Sequence, residues 1–120
     1  VHVPLAHAEE PPPEVVELDT PEQRESFARE TAKKYGIDEY SFVATLSGES
    51  IRFTWNDQSL IKADGPNGRE DSWGICQIHL PSHPTITKEQ ALDPAWCIEW
   101  SAKQFRDGNA TMWTVYRNLK

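Results

Sequence analysis

Glu49 is the side chain best placed to do chemistry. It comes straight after Gly48 in the run Y-S-F-V-A-T-L-S-G-E-S-I-R-F, Tyr40 to Phe53. Phe42, Val43 and Leu46 mark one side of a helix, and Glu49 falls on the same side as Phe42. A carboxyl group set against an apolar surface is harder to ionise, so its pKa rises toward the range of a general acid. Glycosidic cleavage needs such an acid, because the leaving oxygen must receive a proton. A second carboxylate then commonly serves as nucleophile or base. A lone glutamate at a helix end is more often a solvent-facing residue. Gly48 weakens the helix by about 1 kcal/mol relative to Ala. A close approach of backbone or ligand beside Glu49 would explain it, and so would helix termination.

Other residues offer supporting chemistry. Asp57, Asp64, Glu70 and Asp71 are available as a second carboxylate, and each also reads as a turn residue or a solvated charge. The amides of Asn56 and Gln77 can hydrogen-bond sugar amides. Trp73, Trp100 and Trp113 supply flat rings for stacking or for packing. Ser50 and the histidines form no recognisable nucleophilic triad. Cys76, His79, His83 and Cys97 have the spacing of a structural zinc set, with loop hydrogen bonding as the plainer role for the histidines. Cys76 and Cys97 either pair or remain separate thiols. Their spacing alone does not decide.

The elements that must position these groups are legible in outline. Residues 1–19 read as a proline-rich linker or tail, with Pro11, Pro12 and Pro13 favouring an extended segment. The domain proper covers residues 20–120. Thr20, Pro21 and Gln23 give a capping box with proline at the first helical position, and Gly36 stops that helix. Asp38 caps the helix that ends near Glu49. From Thr54 to Arg69 the pattern is irregular, with Asn67-Gly68 as a turn. Extended pieces around 59–62 and 73–78 predict a small hairpin, and Pro81 and Pro84 end that region. Thr87 and Gln90 cap a short helix. Asp93-Pro94 starts another, with Ala95, Ile98, Ala102 and Phe105 on one face, ended by Gly108. Met112, Trp113 and Tyr116 predict a last helical piece. There is no internal repeat.

Composition narrows the class. The chain has 120 residues and a formal charge of -7, from 19 acidic and 12 basic side chains. That is one small domain. The acidic balance argues against nucleic acid as a partner and does not favour an anionic surface. A neutral sugar remains a suitable ligand. No apolar run approaches the roughly 20 residues of a membrane helix. No secretory leader is recognisable at Val1, and the sequence does not open on Met, so this says little about location.

Taken with Glu49-Ser50, the segment R-E-D-S-W-G-I-C-Q-I-H-L-P-S-H-P, Arg69 to Pro84, resembles the lytic transglycosylase and goose-type lysozyme families. Glu49-Ser50 is similar to their catalytic Glu-Ser, and Gly74-Ile75-Cys76-Gln77-Ile78 to their Gly-hydrophobic-Met-Gln-Ile segment. The later A-L-D-P-A-W-C-I-E-W-S-A-K-Q-F resembles their Asp-Pro helix. The resemblance covers about residues 20–118. It implies a mainly α, lysozyme-like (α+β) domain with a short β-hairpin beside a glycan cleft. It makes Glu49 the general acid, Ser50 its support and Gln77 a cleft residue opposite. Tyr116 would approximate a late cleft tyrosine, although M-W-T-V-Y-R stands where the families carry Tyr-Asn-Ala-Gly. Cys76 replaces their common Met, and the interval from Glu49 to Gly74 is longer than in many relatives. Asn56 and Trp73 complete the expected sugar contacts.

The implied partner is the peptidoglycan glycan strand, and the implied setting is the bacterial cell envelope, periplasmic or secreted. A phage enzyme or part of a larger envelope protein fits too. In the transglycosylase route the muramoyl 6-hydroxyl is the nucleophile, so one protein carboxylate suffices and no metal or organic cofactor is needed. A hydrolytic muramidase and a non-catalytic wall-sugar binding module are the alternatives.

Overall fold

Thr20 and Gln23 begin the first helix by satisfying each other. The Thr20 hydroxyl accepts from the Gln23 N–H at 3.1 Å, and the Gln23 side chain accepts from the Thr20 N–H at 3.0 Å. A computed structural model describes residues 17–119. Residues 1–16 of the proline-rich segment lie outside the described residues. Leu18, near its end, is buried against the domain.

Helix α1 spans Pro21–Tyr35 and ends at Gly36, whose φ of 66° is the left-handed turn that glycine adopts without penalty. Helix α2 spans Glu39–Glu49 and is capped by Asp38, which accepts from the Ser41 N–H at 2.8 Å. Its Phe42, Val43, Thr45 and Leu46 are buried. Helix α3, Lys88–Leu92, is opened by the Thr87–Gln90 capping box. Helix α4, Pro94–Arg106, is capped by Asp93 and buries Cys97, Ile98, Ser101 and Ala102. A 3-10 turn at Ala110–Met112 leads into the short α5, Thr114–Arg117.

Strands β1, Ser72–Trp73, and β2, Ile78–His79, pair antiparallel, with Ser72 opposite His79 and Trp73 opposite Ile78. The stretch expected as one extended piece, 73–78, therefore folds back on itself. Gly74 (φ 84°) and Gln77 (φ 49°) make the turn, and the Gln77 N–H closes it onto the Gly74 carbonyl at 3.0 Å. The 59–62 piece is not a strand. An isolated bridge Gln58–Trp73 ties its loop to the hairpin instead, and a second, Lys62–Arg69, closes the loop on itself.

Buried Gln58 organises that loop. Its amide N–H groups reach the Pro66 and Glu70 carbonyls at 2.7 and 3.2 Å. Its oxygen accepts from Asn67 and Arg69 at 3.0 and 3.2 Å. The loop thus satisfies its polar groups internally, as buried irregular backbone must.

Ala28 and Ala32 of α1 are fully buried, and their small size allows α2 and α4 to pack closely. Phe42, Leu46, Ile75, Ile78, Ile98 and Ala102 fill the centre. A disulfide joins Cys76 in the hairpin turn to Cys97 in α4, with Cα atoms 6.0 Å apart. The result is a small, mainly α domain with one short antiparallel hairpin. Among the described residues no helix is long and apolar enough to cross a membrane.

Candidate functional site

The end of α2 meets the hairpin and α5 at a cleft of about 310 Å³. Glu49, the last residue of α2, lines it. Burial pushes the Glu49 carboxyl above its ordinary pKa. The negative charge of Glu70, on the same cleft, pushes the same way, and the Val115 backbone amide opposes both.

The backbone fixes Glu49 from both sides. After it, Ser50 is fully buried; its hydroxyl donates to the Leu46 carbonyl at 2.6 Å and accepts from the Phe53 N–H at 3.0 Å. Ile51, Arg52 and Phe53 then all take positive φ, at 52°, 56° and 65°. That conformation costs about 1–2 kcal/mol for each residue with a side chain. Buried Phe53 anchors the turn, and Arg24 donates to its carbonyl at 2.9 Å. Before Glu49, Gly48 answers the question its position raises. A Cβ there would lie 2.7 Å from Cγ1 of Val115, so the absence of a side chain lets α5 close on the end of α2.

Across the cleft, Gln77 sits at the hairpin turn. Its amide nitrogen donates to the Gly74 and Asp57 carbonyls at 2.8 and 3.0 Å, which leaves its oxygen as the unengaged end. Gly74 is dictated by packing, because a Cβ would lie 1.9 Å from the Ala91 carbonyl oxygen. Trp113 and Trp100 contribute aromatic wall. The Trp113 indole is buried and donates to the Cys76 carbonyl at 2.9 Å, while half-buried Trp100 packs edge-on against His83 and Trp113. His79 and His83 also line the cleft; burial lowers the His83 pKa, and His79 lowers it further.

The structure thus brings Glu49 and Gln77 together, with Ser50 directly behind Glu49. The other expected sugar contacts lie elsewhere. Asn56 is a structural clamp: its nitrogen donates to the Leu92 carbonyl at 2.9 Å and its oxygen accepts from the Ile75 N–H at 3.1 Å. Trp73 is buried outside the cleft, donates to Asp71 at 2.7 Å, and lies under the Lys88 ammonium at 4.6 Å. Tyr116 faces a second cavity behind α5, with Tyr35 and Phe105.

Of the four candidate second carboxylates, Glu70 alone lines the cleft. Met112, Thr114 and Val115 were not foreseeable from local pattern. The zinc set is ruled out by bonding, since both cysteine sulfurs are spent in the disulfide.

The site holds a carboxyl group that burial pushes toward its acid form, with the Gln77 side chain on the same cleft and a second carboxylate within electrostatic reach. Comparison with protein-family models, curated proteins and solved structures finds no match to this chain.

Proposed function

We propose that this domain is a lysozyme-like lytic transglycosylase. It cleaves the bond between N-acetylmuramoyl and N-acetylglucosamine units of peptidoglycan and leaves 1,6-anhydromuramoyl ends. The observation that carries this reading is the half-buried Glu49 carboxyl, pushed toward its acid form by burial, on a cleft that also holds Gln77. Glu49 gives its proton to the glycosidic oxygen as the bond from the muramoyl carbon breaks. As a carboxylate it then takes the proton of the muramoyl 6-hydroxyl, whose oxygen closes the ring. The Gln77 oxygen is free to accept from a sugar amide. A disulfide in the core fits an oxidising compartment, in keeping with a periplasmic or secreted protein.

Glu70 favours a second reading, hydrolysis, because it gives the cleft a second carboxylate that could activate water. The first reading stands ahead of it because Glu70 has another role as a negative charge that adds to the upward push of burial on the Glu49 pKa.

Digestion of purified peptidoglycan decides. The transglycosylase yields anhydro ends, whereas hydrolysis yields fragments heavier by one water, about 18 mass units. Glu49→Gln should lower either activity by about 10²–10⁴-fold while the fold persists. A folded Glu49→Gln variant with near-normal cleavage would refute the assignment. Muropeptide binding with no cleavage by the wild type would leave a wall-sugar binding module.

A further inference from the structure

The contact between Gly48 and Val115 is the one place where α5 touches the residue beside Glu49 through a space that only glycine leaves open. Val115 Cγ1 and Cγ2 lie 2.7 and 3.2 Å from the position of a Cβ at residue 48, and the Val115 Cβ lies at 3.5 Å. A β-branched residue in a helix is held to one strongly preferred χ1. A methyl group at position 48 therefore meets a stiff side chain, and α5 must move. Thr114, the neighbour of Val115, lines the Glu49 cleft, and the Val115 backbone amide acts on the Glu49 carboxyl.

We propose that Gly48 and Val115 are positioning residues: α5 locks onto the end of α2 through their contact, and this lock fixes where the Glu49 carboxyl stands in the cleft. As a statement about catalysis it rests on the function proposed above. As a statement about the site it stands on the geometry alone. Gly48 is then present for α5 to approach and does not end the helix, which runs on to Glu49.

The lock also sets the environment in which Glu49 titrates. Glu70, from the loop before β1, faces the cleft with Glu49, as do His79 from β2 and His83 beyond it. α4 contributes uncharged Trp100. On α5, Arg117 does not line the cleft; it donates to the Thr111 carbonyl at 2.6 Å and to the hydroxyl of cleft-lining Thr114 at 3.0 Å. What α5 brings is cover and one opposing backbone N–H. Lifting α5 removes cover, which raises the Glu49 pKa, together with the Val115 N–H, which lowers it, so a displaced α5 changes the balance at which Glu49 titrates.

The test uses Gly48→Ala, Val115→Ala and the double variant in the full chain. Carbon-detected NMR titration of the Glu49 side chain reads the site, and peptidoglycan cleavage reads the reaction. Gly48→Ala should shift the Glu49 midpoint and reduce cleavage by about 10- to 100-fold, the scale on which small misplacements act. Adding Val115→Ala removes both γ-methyls, reopens the space, and should return the midpoint and most of the activity.

A folded Gly48→Ala with unchanged midpoint and cleavage overturns the proposal, as does a double variant that shows no recovery. Should Gly48→Ala fail to fold, Val115→Ala alone carries the test: it removes the γ-methyls that meet position 48 beside Glu49, and an unchanged midpoint overturns the lock. If the wild type cleaves nothing, the functional reading falls, while the titration still tests the contact.

Discussion

Reducing the Cys76–Cys97 bridge should lower stability by an amount set by the loop it closes. The two residues are 21 positions apart. Closing a loop of that length removes about 11 cal/mol/K of entropy from the unfolded chain, or about 3.3 kcal/mol at 25 °C. In a domain of this size each kcal/mol moves the melting temperature by about 4–8 °C. The expected fall is therefore about 13–26 °C. The effect belongs chiefly to the unfolded chain, because both cysteines are fully buried and the Trp113 indole provides a second tie to the Cys76 carbonyl that does not use the sulfurs. Both sulfurs are shielded, so the bridge must be reduced in denaturant and the protein refolded under reductant. Thiol labelling of the denatured product should show two free cysteines. Melting curves of the oxidised and reduced proteins at one pH then give the comparison. A fall of less than about 5 °C in fully reduced, refolded protein would refute the reasoning.

Three further outcomes follow from the site. Glu70→Gln removes a negative charge that raises the Glu49 pKa, so the alkaline limb of the cleavage profile should move to lower pH, read from rates across pH 4–8; loss of cleavage at every pH would make Glu70 a participant in the reaction instead. Because Glu49 has a folded pKa above its unfolded one, its contribution to stability is present at low pH and lost as pH rises through the folded value. Glu49→Gln should therefore melt higher than wild type at pH 7, with the advantage shrinking by pH 4; an advantage independent of pH would contradict that origin. Gly74→Ala combines a φ of 84° with a backbone clash against Ala91 and should cost about 3 kcal/mol or more, seen as a large loss of denaturant midpoint or failure to fold.

The helices were legible because their ends are written locally. Thr20 with Gln23, Asp38, Thr87 with Gln90, and Asp93 all cap where side-chain chemistry requires, and Gly36 stops α1 as expected. The segment 54–71 was not legible, because no period describes it. It is held by Gln58, whose amide joins four partners at residues 66, 67, 69 and 70. A buried glutamine hub has no sequence signature distinct from a surface glutamine. The hairpin was misplaced for a related reason. Gln77 carries a side chain yet takes positive φ, so the turn it makes is invisible to rules that look for glycine or asparagine there.

The candidate site divides the same way. Glu49 could be read from the phase of one helix, since Phe42 and Glu49 share a face by geometry alone. Its surroundings could not, because they arrive from four separate places in the chain. Glu70 and Gln77 reach the cleft only through the Gln58 hub and the tight turn at Gly74, Trp100 through α4, and Thr114 through the Gly48–Val115 contact. The amides and rings with equal claim by composition went to structural tasks. Asn56 clamps the hairpin to α3, and Trp73 packs beneath Lys88. An amide or an indole suits a sugar and a backbone carbonyl equally well, so residue type alone cannot assign it. A carboxyl group is different: burying it without a counter-charge is unfavourable, and the protein does this to Glu49 while placing a second acid, Glu70, nearby. Packing alone gives no reason to accept that penalty, whereas the acid role proposed for Glu49 does.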